Sequence, residues 1–318
     1  MKNILLVGAG QLGSRYLQGL STVKLDLFIT VVDPSDLSLN KAKKRWFEAE
    51  GDESQHTIRW CKVLPQDLVS IDLAIISTSA RGRADLVKKI SSTVSVRYWV
   101  LEKVLAQSKK ELDIINAATI DSKGTWVNMV RRVINWHQQL KFNFYEKGPL
   151  KVRKTGGLWG LACNTIHFID LISWWTGESL LSVDTSRLDR NWLKSKRLGY
   201  FEVIGELLIK FSGGTELILQ SNPIATEDVL YVEVSNKDIW TIDELNCVAF
   251  KSKKEVFKGE FKLQSEITGP IVKKILTNGT CELTTLKKSS DQHKIFLEAM
   301  LAHWNFSNKL NDKVVPIT

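Results

Sequence analysis

The chain reads as an α/β protein built in two parts: a doubly wound parallel sheet over residues 1–125, then an α+β domain with a largely antiparallel open sheet over residues 126–318. Three observations predict this. At 318 residues the chain is about twice the usual single-domain length of roughly 150. Its first 125 residues alternate short apolar runs with helical patterns, the mark of βαβ units. Beyond residue 195 the pattern changes to period-two alternation broken by turn residues, which marks antiparallel strands.

In the first part, Asn3 to Val7, Leu27 to Val32, Leu73 to Ser77, Tyr98 to Leu101 and Thr125 to Val130 are aliphatic or β-branched and predict strands. Helix-like stretches fall between most of them, near Gln11 to Leu20, Leu39 to Glu50, Ala84 to Ile90 and Ser108 to Ala118. In the second part, Glu206 to Phe211 and Glu216 to Gln220 flank Ser212-Gly213-Gly214 as a hairpin. Leu230 to Val234 alternates so that one face is buried and the other wet, and that open face is a candidate for homo-oligomer contact. The domain boundary near residue 125 is a shift of composition without a Gly/Ser hinge.

Composition excludes several classes. Hydrophobic residues make up 43% and charged residues 25% with only 6 prolines, so the chain is globular. No apolar run approaches the roughly 20 residues of a membrane span. The formal charge of +9 raises the question of nucleic acid, but residues 1–125 hold 18 basic and 14 acidic side chains, so neither part is a basic module. Cys61, Cys163, Cys247 and Cys281 are far apart and lack metal spacing, which predicts a reduced, cytoplasmic protein without structural zinc. The expected partner is a small molecule, with no nucleic acid and no membrane.

Gly8-Ala9-Gly10-Gln11-Leu12-Gly13 follows the first strand and opens the first helix, the context that gives a GxGxxG match its meaning. Gly8 permits the tight turn, Gly10 lets the backbone approach a pyrophosphate, and Gly13 lets helix and strand pack closely, while Gln11 and Leu12 bring amides at the helix start. Asp33 ends the second strand 20 residues after Gly13, where a carboxylate bonds the ribose hydroxyls of an adenosine and repels a 2′-phosphate. NAD is therefore the expected cofactor. NADP stays open, because Lys41, Lys43, Lys44 and Arg45 are near. Ser77, Thr78, Glu102 and Lys103, at the carboxyl ends of later strands, complete the expected cofactor edge.

Lys103 stands in Leu101-Glu102-Lys103-Val104 at that edge and is suited to donate to a substrate oxygen. Residues 163 to 175 form a greasy helical stretch in which Cys163, His167 and Asp170 share a stripe, with Asn164 beside it. An imidazole and a carboxylate on a buried helix are paired or used. A glycine-rich lead-in, Gly156-Gly157 and Gly160, suggests a cleft wall.

Together these residues resemble the glucose-fructose oxidoreductase and inositol dehydrogenase family (Gfo/Idh/MocA) over nearly the whole chain. The marks are the GxGxxG with its acid, Glu102-Lys103 matching the family's Glu-Lys-Pro, Arg131-Arg132 after the sixth strand, Gly156-Gly157, the His167-x-x-Asp170 helix and the closing Pro316-Ile317-Thr318, all in the family's order. The resemblance implies that Lys103 polarises the reacting oxygen while His167 takes or relays its proton as hydride passes to or from the nicotinamide. It places Arg131 and Arg132 on the pocket floor, where an interdomain ion pair is the other reading, and it makes Cys163, Asn164, Asp170 and Trp159 substrate neighbours. Trp159, like Trp174 and Trp175, is suited to stack on a sugar ring, but tryptophans of a greasy helix read more readily as core. Three departures stand out: Cys163 replaces the family's aspartate, Val104 replaces its proline, and the usual helix after Pro-Ile-Thr is missing. The stretch Trp159 to Asn164 resembles a branch associated with bacterial surface-polysaccharide biosynthesis. The expected activity is an NAD-dependent oxidoreductase acting on a hydroxyl or keto group of a sugar, sugar derivative or nucleotide sugar. The alternatives are an NAD-dependent glycoside hydrolase with internal redox cycling and a catalytically weakened cofactor-binding protein.

Overall fold

A computed structural model describes residues 1–49, 55–224, 227–234 and 238–318. The chain forms two compact units: residues 1–105, 111–128 and 262–286 make the first, and residues 106–110, 129–261 and 287–318 the second.

The first unit begins with β1 (Lys2–Val7), α1 (Gly13–Leu20), β2 (Leu27–Val32), α2 (Asp36–Glu48), β3 (His56–Cys61), β4 (Ser70–Ile76), α3 (Arg83–Thr93), β5 (Ser95–Leu101), α4 (Lys109–Ala118) and β6 (Gly124–Val127). The central strands are near-continuous aliphatic runs because a parallel sheet flanked by helices buries both faces: Ile4, Leu5, Leu6, Ile29, Val31, Leu73, Ala74 and Ile76 are all inaccessible. Strand order is β3-β2-β1-β4-β5-β6, all parallel, so the winding reverses between β1 and β4. Ligands of open α/β sheets bind at such a switch point.

The second unit holds α5 (Asn135–Lys141), β7 (Leu150–Gly156), α6 (Leu161–Thr176), β8 (Leu180–Leu188), β9 (Leu193–Lys194), β10 (Phe201–Glu202), β11 (Gly205–Phe211), β12 (Glu216–Ser221), β13 (Leu230–Val234), β14 (Asp238–Asp243), β15 (Val248–Lys251) and β16 (Lys254–Lys258). Its eight-stranded sheet runs β16-β15-β14-β13-β7-β12-β11-β8 and is antiparallel except where β7 meets β12. Burial alternates along β12 and β13, as the period-two pattern predicts. The more open face carries ion pairs from Arg153 and Arg187 to Glu206 and from Lys151 to Glu233.

The chain then returns to the first unit. α7 (Gln264–Asn278) packs on α1, and β17 (Thr284–Thr285) adds an antiparallel edge to β6. A Cβ on Gly19 of α1 would stand 2.5 Å from the Ser265 carbonyl oxygen, so the helices meet backbone to backbone. α8 (Leu286–Asn308) lies mostly in the second unit.

The division differs from a single crossing near residue 125. It continues to Asn128, and residues 262–286 belong with the first unit because small residues let α7 seat against α1. Strand β3 has no counterpart in the expected strands: it is an edge strand with only His56 fully buried, so its sequence shows no apolar run. β4 starts before the expected Leu73 because the charge of Asp72 is satisfied across the sheet, its Oδ2 accepting the Asn3 amide at 2.9 Å. Helix α2 starts before Leu39 because the Ser35 hydroxyl accepts the Ser38 amide at 3.3 Å as a cap. Glu50, the expected end of that helix, lies outside the described residues. β6 ends at Val127, short of Val130, where a short 3-10 turn (Val130–Val133) begins.

Candidate active site

In the first unit the glycine loop is fixed by its surroundings. Gly8 has φ +92°, its amide donates to the Val32 carbonyl at 2.8 Å, and its own carbonyl accepts the Ser77 hydroxyl at 2.6 Å. A Cβ on Gly13 would lie 1.8 Å from the Gly8 oxygen, so any side chain there drives α1 off the strand. Gly10 is the opposite case: apart from its chain neighbours, no described residue lies within 4 Å of the place its Cβ would take. The loop therefore presents open backbone at the helix N-terminus, where amide donors and the helix dipole favour an anion. Thr78, on the neighbouring strand end, has a buried hydroxyl without a hydrogen-bond partner.

Asp33 is 9% exposed. Its Oδ2 accepts the Ala9 amide at 2.7 Å and its Oδ1 the Ser35 amide at 2.9 Å, which locks the carboxylate to the glycine loop and leaves each oxygen a further lone pair. Arg45, one of the four basic residues expected to compete for a phosphate, is pinned instead to Gln11 and Ser14, at 3.0 Å from the Gln11 carbonyl and 2.6 Å from the Ser14 hydroxyl. Burial and the nearby Arg15 charge lower its pKa. An open cradle, an unpartnered hydroxyl and a carboxylate at the switch point fit a dinucleotide.

Lys103 sits on a turn held from two sides. The buried Arg83 guanidinium donates to the carbonyls of Glu102 at 2.6 Å and Leu105 at 3.2 Å, and also to those of Val104 and Thr78. The Lys103–Val104 peptide is cis. Glu102, expected at the cofactor, is 4% exposed and turns its Oε1 inward, where it accepts the Tyr16 hydroxyl at 2.5 Å and the Asn128 amide at 2.6 Å. Asn128 also donates to Gln264 at 2.9 Å. Burial raises the Glu102 pKa despite the opposing effect of Tyr16, Arg83, Asn128 and Lys103. Burial, together with the charge and hydrogen bond of Glu102, pushes the Tyr16 phenol well above its usual value. Neither Arg83 nor Tyr16 carries a motif that sequence reading would find, since a buried arginine and an exposed one look alike in a helical pattern.

In the second unit, α6 is buried around most of its circumference but half-exposed at Cys163, Asn164, His167 and Trp174. Those positions share one helical face, so the helix offers a single polar stripe. By helical spacing Asp170 falls on the same face but is covered there. It is 1% exposed and receives a bidentate pair from Arg132, with Nε at 2.6 Å and Nη2 at 2.7 Å. Cys163, His167 and Asp170 thus keep their common stripe, half-exposed at Cys163 and His167 and closed over at Asp170 by an arginine. Arg131 forms the matching bidentate pair with Glu244, at 2.6 and 2.7 Å, and lies over the Phe168 ring. Both arginines have the Nε/Nη2 edge of the guanidinium occupied by a carboxylate of their own unit, so they form ion pairs, but within the second unit and not between domains.

Trp159 donates through Nε1 to the Gln220 carbonyl at 2.9 Å and meets Phe168 edge-on. Asn164 donates to the Trp159 carbonyl at 2.8 Å, and the Cys163 thiol lies 3.5 Å from the Gly160 carbonyl. Lys154, buried and paired with Asp228, stands over the Trp159 and Phe168 rings. Cys61, Cys163, Cys247 and Cys281 are unbridged. Among the described residues there is no cluster of potential metal ligands and no helix long and apolar enough to cross a membrane.

Glu244 also accepts from His137 at 3.0 Å. Burial works to raise its pKa, but the Arg131 charge and hydrogen bonds, and then His137, outweigh it and hold the carboxyl well below the usual range. A depressed carboxyl stabilises the fold above its unfolded pKa, and that contribution is lost as pH falls through the folded value. Glu244→Gln should therefore lower stability near neutral pH by roughly 1 to 2 kcal/mol, less than the loss of one partner of a fully buried pair, because both side chains are partly exposed. The gap to the wild type should narrow as the pH falls below about 4. Melting temperatures across that pH range measure both effects, and a constant gap would refute the assignment.

No family model and no curated protein matches the chain at the level of sequence. Solved structures do. UDP-N-acetylglucosamine 3-dehydrogenase GnnA from Acidithiobacillus ferrooxidans superposes with a TM-score of 0.67 at 13% identity, over 96% of this chain and 99% of that one. Scyllo-inositol dehydrogenase from Lactobacillus casei, solved with NAD(H) and scyllo-inositol, gives 0.65 at 15%, over 94% and 96%. Biliverdin reductase from Synechocystis sp. PCC 6803, solved with biliverdin and NADP+, gives 0.69 at 12%, over 93% and 97%. What this chain shares with them is the fold, and it is the Gfo/Idh/MocA fold that the sequence motifs imply.

Proposed function

We propose that the chain is an NAD-dependent oxidoreductase of the Gfo/Idh/MocA kind, acting on a hydroxyl or keto group of a sugar, sugar derivative or nucleotide sugar. The observation that carries the reading is the cradle at the switch point: open backbone at Gly10, a carboxylate at Asp33 and the unpartnered Thr78 hydroxyl together. The first unit holds the dinucleotide, and the second unit supplies the substrate face. The nicotinamide, when bound, accepts or donates a hydride. Lys103, on its fixed turn, polarises the reacting oxygen, and His167, on the half-open stripe of α6, accepts or returns its proton. An imidazole titrates near neutral pH and serves either direction. The sugar class is supported by the likeness to GnnA and scyllo-inositol dehydrogenase. Assembly into a homo-oligomer through the open face of the large sheet and a reducing, cytoplasmic setting for the four unbridged cysteines belong to the same reading.

A screen of sugars, inositols, uronic acids and nucleotide sugars, followed by nicotinamide absorbance, tests it. Net reduction of NAD supports the dehydrogenase. Leaving-group release without net NADH points to internal redox cycling, and NADH binding without turnover points to a weakened binding protein.

Asp33 also sets the choice of cofactor. Its carboxylate bonds ribose hydroxyls and repels a 2′-phosphate, while Arg45 is held away on Gln11 and Ser14. Asp33→Asn keeps an acceptor for the Ala9 amide but removes the charge. The dissociation constant for NAD should rise about tenfold and the one for NADP should fall, since roughly 1.4 kcal/mol is a tenfold change. Equal shifts for both, measured by fluorescence titration, would refute the ribose assignment.

A further inference from the structure

The stripe on α6 continues past His167. Trp174 is half-exposed on the same face, two turns further on, which is about 10 Å along a helix that rises 1.5 Å per residue. Cations gather round its ring. Lys141, the last residue of α5, holds its Nζ 5.1 Å from the Trp174 ring centre and 4.9 Å from that of Tyr145, and the Arg132 guanidinium carbon lies 5.7 Å from the Trp174 ring centre. Lys288, in the first turn of α8, joins them: burial and then the Arg132 charge lower its pKa, Asp170 opposes the fall, and Lys141 adds to it. Burial and the Arg132 charge also lower the pKa of Lys141. All of these residues belong to the second unit.

A cation–π contact explains one lysine on one indole. It does not explain a second lysine beside the first, because like charges repel and the first turn of a helix disfavours a cation. Arg132, Lys141 and Lys288 bring three positive charges to a group whose carboxylate, Asp170, is bound on both oxygens by Nε and Nη2 of Arg132. Three cations against one carboxylate leave the group an excess of positive charge. An anion with several acceptor oxygens offsets that excess, and a half-exposed indole beside it can cover the ring that the anion is attached to.

We propose that Trp174, Lys141 and Lys288 form a subsite for a phosphoryl group of the substrate, held two helical turns from the reacting carbon. The inference rests on the reading of His167 as the neighbour of that carbon, and it deepens that reading by naming the charge class of the substrate. The separation selects among anions. A uronic acid carries its carboxylate on the sugar ring itself, and one ring is too short to span two turns of helix. A phosphoryl group joined through the anomeric oxygen, as in a glycosyl phosphate or the diphosphate of a nucleotide sugar, reaches further.

The test is calorimetric binding to the full chain carrying Gly10→Val, which fills the glycine cradle so that anions are not taken up there. The probes are inorganic diphosphate, glucosyl phosphate, UDP-N-acetylglucosamine and glucuronic acid. Lys141→Gln should weaken the glucosyl phosphate or the nucleotide sugar about tenfold, the usual weight of one charge-assisted contact. Lys288→Gln should do the same, and it serves alone if Lys141→Gln does not fold. Lys141→Arg keeps the charge and should bind as its parent does. Loss confined to UDP-N-acetylglucosamine puts a diphosphate in the subsite, loss shared by glucosyl phosphate puts a monoester there, and both support the proposal. Lys210→Gln, on the open face of the large sheet, controls for net charge and should change nothing. Equal weakening by Lys210→Gln, a matching loss with glucuronic acid, loss confined to inorganic diphosphate, or no loss with any probe overturns the proposal. Binding is read here without NADH and without turnover, so failure of the oxidoreductase reading, seen as silence in the nicotinamide screen, is a separate result.

Discussion

Lys103→Met should leave NADH affinity within about twofold and reduce turnover by about 10² to 10⁴, the usual contribution of a proton-transfer or polarising group. The structure separates the two effects because the turn that carries Lys103 is also held by other residues. Arg83 binds the turn through main-chain carbonyls, and Glu102 anchors it through Tyr16 and Asn128. Methionine matches the length of the lysine stem, so the fold and the cradle at Gly10 persist while the charge is gone. Steady-state kinetics with NADH titration in parallel measure both. Turnover unchanged in the variant would remove Lys103 from the chemistry. A parallel loss of NADH affinity would instead place the lysine on the cofactor.

What the sequence reveals about this molecule follows the reach of each interaction. The parallel sheet was legible because both of its faces are buried, so Ile4 to Val7 and Leu27 to Val32 are short, mostly apolar runs. β3 was not, because a partly exposed edge strand imposes no such run. The return of α7 to α1 was hidden for another reason: its signal is Gly19 and Gly269, small residues whose meaning depends on a partner about 250 positions away. In the site, residues with local geometry were readable, above all the glycine loop and Asp33. Those whose roles are set by partners distant in sequence were not. Arg132 and Asp170 look like ligands in a motif and are in fact each other's partners. Arg83 and Glu202 show no pattern at all, since nothing local distinguishes a buried arginine that ties down a turn, or a carboxylate that caps the Ala162 amide of α6 from a two-residue strand.

The glycine loop gives the sharpest contrast in expected outcome, because two of its glycines are there for opposite reasons. At Gly13 even a methyl group meets the Gly8 carbonyl at 1.8 Å and the Ser77 hydroxyl at 2.7 Å. Backbone cannot yield as a side-chain tip can, so Gly13→Ala must lift α1 from β1, and overpacking of this sort costs roughly 1 to 3 kcal/mol. The variant should melt several degrees lower and bind NADH weakly. At Gly10 the same space is clear of described residues apart from its chain neighbours, and Gly10→Val should leave the melting temperature of the unliganded protein nearly unchanged. NADH binding should nonetheless fall at least a hundredfold, since the valine methyls occupy the room reserved for the pyrophosphate. Calorimetric melting and NADH titration of the two variants form the test. If Gly10→Val binds NADH as the wild type does, the open cradle is not the dinucleotide site, and the reading of this chain as an oxidoreductase loses the observation it rests on.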